Sequence, residues 1–300
     1  MKIFCLLAII ALNLSIFIPN GEAQQRSRQR ASTNVLSEET FQIGVSSTGQ
    51  NIYGHSFGDG EKCIIVIGGI HGRYEENTTI IANRLIKYFR EHKNLSNVSI
   101  KIIANLNPDS FYYEPDDPIL QINGYLARFN GNEVDLNRNW DTPNWQSDCS
   151  YSQNDLRIGA GGIEPMSEPE IKGLSKFLLN CKDSYNELFV IALHSYVVNL
   201  QEINDVFPSY IINNENIVEI SENGARLADI FSRNGNFTRL DYFQYYNITG
   251  ELINWCGHNG IAAIDIEFGN NGDIDIKQNN QKSHWENFIE SFKYLLQNIN

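Results

Sequence analysis

His71 and Glu75 follow a run of apolar and β-branched residues, Cys63 to Gly68, that breaks at Gly68-Gly69. An imidazole and a carboxylate at the end of a buried strand can hold a cation or move a proton. A plain strand-turn-helix connection has the same local pattern, so this pair alone decides nothing. Two further apolar strands carry similar groups. Leu188 to Leu193, LFVIAL, runs into His194, and Ile261 to Phe268 carries Asp265 and Glu267. Two neutral imidazoles and one carboxylate make a donor set suited to one Zn2+, with a fourth position open for water. A carboxylate outside that set can accept the water's proton, which is the part left for Glu267. Between the histidines lie Arg128, in LARFN, and Asn137-Arg138, in VDLNRNW. An arginine and an asparagine in one loop can fork a carboxylate. Arg128 can face a developing oxyanion in the same cleft. Singly, such residues are ordinary solvated turn groups, and a strand-end histidine is ordinary too.

The order of these segments along the chain gives them weight. GGIHGRYE, RFNGNEVDLNRNW, SEPE, IALHSY and ITGELINWCGHNGIAAIDIEF occur in one series. His194 lies 123 residues after His71, and Glu267 lies 73 after His194. In these motifs and spacings the chain resembles the zinc carboxypeptidases, the carboxypeptidase A-like metallopeptidases, from about Gly68 to Phe268. The nearest likeness is to a less studied exported branch. The resemblance implies a secreted metallocarboxypeptidase acting on peptide or protein C-termini with one Zn2+ per chain. It implies His71, Glu75 and His194 as metal ligands, Glu267 as general base, and Arg128 as the group polarising the scissile carbonyl. It also implies Asn137 and Arg138 as the grip on the terminal carboxylate and Tyr246 as a tyrosine closing over substrate. Ile253 falls near the floor of the terminal side-chain pocket, which by itself favours an apolar terminal residue. One departure stands out. The family spacing is His-x-x-Glu, whereas Glu75 is at His71 plus four, so Glu75, Glu76 or neither completes the set. Two other functions stay open: hydrolysis of peptidoglycan stem peptides with the same chemistry, and metal-free binding of C-terminal carboxylates.

The elements that must position these groups read as a single three-layer α/β domain. It has a mixed, mostly parallel sheet with helices on both faces. Thr40 to Phe57 suits two strands around the turn STGQN, and Val98 to Leu106 suits another strand. Ile81, Leu85, Ile86 and Phe89 place a helix over Glu75 to Glu91. Ser110 to Pro165 is rich in Asn, Asp, Gly and Pro and reads as functional loops. Further helices are predicted from Ser167 to about Asn180 with a capping box at Ser167 and Glu170, from Ile217 to Ser232, from Glu251 to His258 and from Ser283 to Ile299. In open α/β sheets the ends of central strands converge on a crevice, which is where the three apolar strands would bring their polar residues.

Of the 300 residues, 42% are hydrophobic and 20% charged, an ordinary globular composition. The apolar run Ile3 to Ile18, followed by Gly21-Glu22-Ala23, reads as a signal peptide over residues 1–23. Residues 24–38 read as a polar lead-in, and 39–300 as the catalytic domain. The shortness of that lead-in leads us to expect no inhibitory propeptide. A secreted or, in a bacterium, periplasmic monomer with no membrane span after cleavage is expected. A net charge of −13 argues against nucleic acid as a partner. Cys63, Cys149, Cys181 and Cys256 remain after cleavage and allow two disulfides in three pairings, while the lack of a CxxC argues against a cysteine zinc site.

Overall fold

The computed structural model describes residues 38–92, 97–112, 124–152, 155–196, 204–213, 216–244, 246–269, 274–275 and 282–299. The signal peptide and nearly all of the lead-in lie outside them. The chain opens with the hairpin β1 (Glu39–Val45) and β2 (Asn51–Phe57), then β3 (Lys62–Ile67), α1 (Glu76–Glu91) and β4 (Val98–Ile103). A small hairpin, β5 (Cys149–Ser152) with β6 (Asp155–Arg157), interrupts the long loop region. There follow α2 (Pro169–Ser184), β7 (Glu187–Ser195), β8 (Asp205–Pro208), β9 (Tyr210–Asn213) and β10 (Asn216–Ile220). The chain closes with α3 (Glu222–Ser232), β11 (Thr238–Arg239), α4 (Leu252–His258), β12 (Ala262–Phe268) and α5 (His284–Asn298).

Eight strands form one sheet in the order β1-β2-β4-β3-β7-β12-β8-β11. The central four, β4, β3, β7 and β12, are parallel neighbours, and the antiparallel pairs lie outside them. Parallel strands need crossovers on the faces, and both faces are covered. One face packs Ile64, Val66, Ile191, Leu193 and Ile266 against α1, α3 and α5 through Leu85, Phe231 and Phe288. The other packs Ile65, Ile67, Val190, Ala192 and Ala263 against α2 and α4 through Leu174, Leu178 and Trp255. Apolar side chains therefore fill both sides of β3 and β7, which explains their unbroken hydrophobic runs. Because the four strands are parallel, their C-terminal ends lie along one edge. The polar residues after β3, in late β7 and in late β12 meet there.

Three local expectations are corrected. The helix predicted over Ile217 to Ser232 is two elements. Asn216–Ile220 pairs with β9, and helix α3 starts at Glu222, capped by the Ser221 hydroxyl accepting from Gly224 N–H. The β-branched residues at its start fit either period, and the hairpin partner decides. The capping box at Ser167 does not form: Glu168 is the N-cap, without a side-chain cap bond, and Glu170 Oε1 instead accepts from Ser47 N–H at 2.8 Å. The four cysteines are all buried free thiols rather than disulfides. The closing helix does carry a capping box, between Ser283 and Glu286.

Candidate active site

His71 sits just past β3, where the chain turns into a one-turn 3-10 helix, Gly72–Glu75, that leads into α1. Gly72 has φ +51°, and a Cβ there would fall 1.6 Å from Ser110 Oγ, so the turn admits only glycine. Three residues of 3-10 helix bring Glu75 round to the side of His71. Glu75 Oε1 lies 2.7 Å from His71 Nδ1, and Oε2 lies 3.3 Å from His194 Nδ1. The two Nδ1 atoms are 3.3 Å apart. One donor atom from each of the three residues falls within 4.8 Å of the others, and all three side chains are buried. Glu76 turns outward, with 45% of its side chain exposed, and faces Arg73. The open choice at the His71 motif therefore falls geometrically on Glu75.

His71 Nε2 lies 3.1 Å from Asp135 Oδ1, an acceptor that leaves the Nδ1 lone pair free for a ligand. His194 Nε2 lies 3.4 Å from Asn137 Nδ2, and its Nδ1 stands beside His71 Nδ1 and the Glu75 carboxylate. Two ring nitrogens facing each other beside one carboxylate fit a shared divalent cation, and Zn2+ matches an N,N,O donor set. Burial acts to raise the Glu75 carboxyl, but His71 and His194 outweigh it and hold it below the ordinary carboxylate range. Asp135 is held well below its usual range by Arg128, His71 and Arg138, against the upward push of burial. It accepts from Arg128 Nε at 2.7 Å and from the Tyr151 hydroxyl at 2.6 Å.

The loops holding Arg128 and Arg138 are fastened elsewhere. Asp109, 3% exposed, accepts six hydrogen bonds: from the hydroxyls of Ser46, Ser47 and Thr48, from Thr48 N–H, from Gln50 Nε2 and from Gly131 N–H. This ties the β1–β2 turn to the loop after Arg128. Burial pushes the Asp109 carboxyl up, and the serine and threonine hydroxyls overcome it and bring it down to about 2.

The pattern of the zinc carboxypeptidase family matches residues 30–297, nearly the whole chain. The chain belongs to the zinc carboxypeptidase family. Solved structures agree at the level of fold. Bovine thrombin-activatable fibrinolysis inhibitor, bound to a tick carboxypeptidase inhibitor, is 18% identical, with a TM-score of 0.59 and 88% of each chain covered. Carboxypeptidase A from Helicoverpa armigera is 16% identical, with a TM-score of 0.56, covering 88% of this chain and 69% of that one. A murein-tripeptide amidase from Escherichia coli is 21% identical, with a TM-score of 0.53, covering 90% of this chain and 96% of that one. No curated protein matches the sequence.

In this zinc carboxypeptidase fold the other predicted residues gather around the same strand ends. Glu267 is paired in register with His194 on the neighbouring strand and is half-buried. Burial, with Glu75 and Asp265 nearby, pushes its carboxyl well above the ordinary value. Arg128 is 6% exposed and donates through Nη1 to Glu75 Oε1 at 3.3 Å. Arg138, 2% exposed, donates through Nη1 to Asn137 O and through Nη2 to the Tyr246 hydroxyl at 3.4 Å. Among the described residues no carboxylate lies within ion-pair distance of Arg138, and its buried Nε has no partner. Asn137 Oδ1 accepts from Leu252 N–H at 2.9 Å, fastening the Asn137-Arg138 turn to the start of α4. Gly250 has φ +62°, and a Cβ there would meet Arg138 O at 2.3 Å, so the two loops touch backbone to backbone. Ile253 is 2% exposed and packs in the apolar cluster with Leu252 and Trp255.

Sequence reasoning missed Tyr151. Its ring lies under the guanidinium groups of Arg128 and Arg138, at 5.2 and 5.4 Å, while its hydroxyl reaches Asp135. It sits on β5, inside the stretch read as irregular, and nothing in its neighbours distinguishes it from other aromatics.

Proposed function

We propose that this protein is a secreted zinc metallocarboxypeptidase that removes the C-terminal residue of peptides or proteins. In this reading residues 1–23 are its signal peptide, and 39–300 are its catalytic domain. The observation that carries it is Arg138. A guanidinium buried without a counter-ion is costly. Here it stands one residue from Asn137, which touches His194 of the metal-ligand cluster. A substrate carboxylate is the natural partner for its free Nε, and a chain terminus brings one next to the last peptide bond.

His71, Glu75 and His194 would hold the zinc, which when bound lowers the pKa of water and polarises a carbonyl. Arg138 and Asn137 bind the terminal carboxylate and so set the last amide bond in place. Arg128 stabilises the oxygen that gains charge as water attacks. Glu267 accepts the proton of the attacking water and returns it to the leaving amine. Tyr246, hydrogen-bonded to Arg138, covers the bound terminus. The Asp135 carboxylate, accepting from His71 Nε2, keeps that imidazole aimed.

The test is one zinc analysis and one assay. Purified protein is expected to hold one zinc per chain, to lose it in His71→Ala, and to release single residues from free peptide C-termini. Protein without zinc that still binds C-terminal carboxylates would point to a binding protein. Turnover of muropeptides but not of peptides would point to the stem-peptide hydrolase.

A further inference from the structure

Tyr151 has no part in the reaction above, yet it is buried against both arginines that act there. Its strand, β5, pairs with β6 in a two-stranded sheet apart from the main one. The register of that pair slips by one between Ser150–Leu156 and Ser152–Asp155, and Tyr151 is the residue at the slip. Such a bulge re-aims a side chain. The Tyr151 ring points inward, while Ser150 and Ser152 are exposed. The Arg128 guanidinium lies 5.2 Å from the ring centroid and the Arg138 guanidinium 5.4 Å. Each arginine also meets a ring of its own, Tyr74 at 5.5 Å for Arg128 and Tyr246 at 5.9 Å for Arg138. Among the described residues Tyr151 is the ring they share. The two buried guanidinium groups push against each other, and an aromatic face attracts both. The Tyr151 hydroxyl donates to Asp135 Oδ2, which also accepts from Arg128 Nε, while Asp135 Oδ1 accepts from Asn137 N–H at 2.8 Å. Ring and hydroxyl together therefore brace Arg128 and the turn that carries Arg138.

We propose that Tyr151 is a positioning residue that sets the spacing between Arg128 and Arg138. This rests on the carboxypeptidase reading, in which Arg138 binds the terminal carboxylate and Arg128 the oxygen of the scissile amide. A single α-amino acid separates those two substrate groups, so they stand a fixed distance apart. The two guanidinium groups must match that distance. Their own hydrogen bonds do not link them: Arg128 is held by Asp135 and Glu75, and Arg138 by Asn137 O and the Tyr246 hydroxyl. The Tyr151 ring is common to both. Without it the substrate still binds through Arg138, but its carbonyl is misplaced, which lowers kcat more than affinity. The enzyme also loses its means of telling a terminal residue of the right length from one that is longer by a methylene.

The experiment uses acylated peptides ending in the residue that the zinc-loaded wild type cleaves best. Each is compared with an analogue whose last residue is a β-amino acid, one backbone methylene longer. The wild type is expected to prefer the α-peptide by at least about 100-fold in kcat/KM. Tyr151→Leu is expected to cut that ratio at least roughly tenfold and to lower kcat on the α-peptide about 30-fold. Its zinc content should be unchanged, and its calorimetric affinity for the Nα-acetylated terminal amino acid should stay within a few-fold. Tyr151→Phe keeps the ring and should hold the ratio within about threefold of wild type. Phenylalanine analogues of rising ring fluorination at position 151 keep the shape and weaken the face, so the ratio should fall stepwise along that series. A tyrosine that only supports the fold would lower both peptides alike. An unchanged ratio in Tyr151→Leu, a Tyr151→Phe as impaired as Tyr151→Leu, or a flat fluorination series overturns the proposal and leaves the carboxypeptidase reading intact. Zinc-loaded wild type that cleaves none of the peptides sinks that reading instead. If Tyr151→Leu loses zinc or its melting transition, the fluorination series decides.

Discussion

Asp109 and Asp265 are the same side chain in almost the same depth of protein, 3% and 6% exposed, with opposite surroundings. Asp109 accepts six hydrogen bonds and is held down to about 2. Asp265 makes none through its buried Oδ1, and burial, aided by Glu251 against the pull of His194, pushes it up to about 7. One carboxylate is finished by its own chain and the other is not. The same division separates Arg128, paired with Asp135 and Glu75, from Arg138, which has no counter-ion among the described residues. Asp109 fastens loops with its bonds, whereas the unpartnered Arg138 Nε and Asp265 Oδ1 lie beside the candidate site.

That division can be broken by substitutions on either side. The largest effect is expected for Glu267→Gln, with kcat lower by roughly 10³- to 10⁴-fold, zinc retained and the melting temperature nearly unchanged. Full activity in that variant would remove Glu267 from the chemistry. Next comes Arg138→Ala, expected to raise KM about 100-fold, because the substrate carboxylate loses its charged partner. Lysine in its place should recover only part, since it cannot fork a carboxylate. Asp109→Asn belongs to the other class. It should cost about 2 kcal/mol in urea unfolding and leave kcat/KM of the folded enzyme within a few-fold. A large loss of activity at unchanged stability would merge the two classes.

The smallest effect is a pH dependence. The folded Asp109 carboxyl is lowered from 3.8 to about 2, so its stabilising share is complete above about pH 4. It disappears as pH falls toward 2. Wild-type melting temperature should therefore drop more steeply over that window than Asp109→Asn does.

The sheet was the most legible part of the chain. Continuous apolar runs such as CIIVI and LFVIAL leave little choice but a strand buried on both faces. The two histidines of the candidate trio were legible too, since each sits at or just past such a run, whereas Glu75 and Glu76 are told apart only by the 3-10 turn. The outer regions were not. Asn216–Ile220 became a strand because of a partner, β9, whose own sequence carries no strong pattern. Glu170 was drawn away from its capping position by Ser47, 123 residues earlier. Asp265 was visible in its strand, but its lack of a donor depends on what α4 and β9 bring beside it. Local pattern reports which face a residue takes, and only the assembled fold reports what waits on that face.

The metal-ligand trio is drawn from β3's end and from β7, adjacent in the sheet but 123 residues apart in sequence. No short segment of the unfolded chain holds all three donors near one another. Closing a loop of that length is slow and entropically costly before any contact rewards it. A cation held by this trio would therefore bind after the central strands have paired, and one that binds the native state alone would stabilise it by mass action. Removing zinc by chelation should lower the melting temperature without slowing refolding, so that metal occupancy serves as a readout of completed assembly.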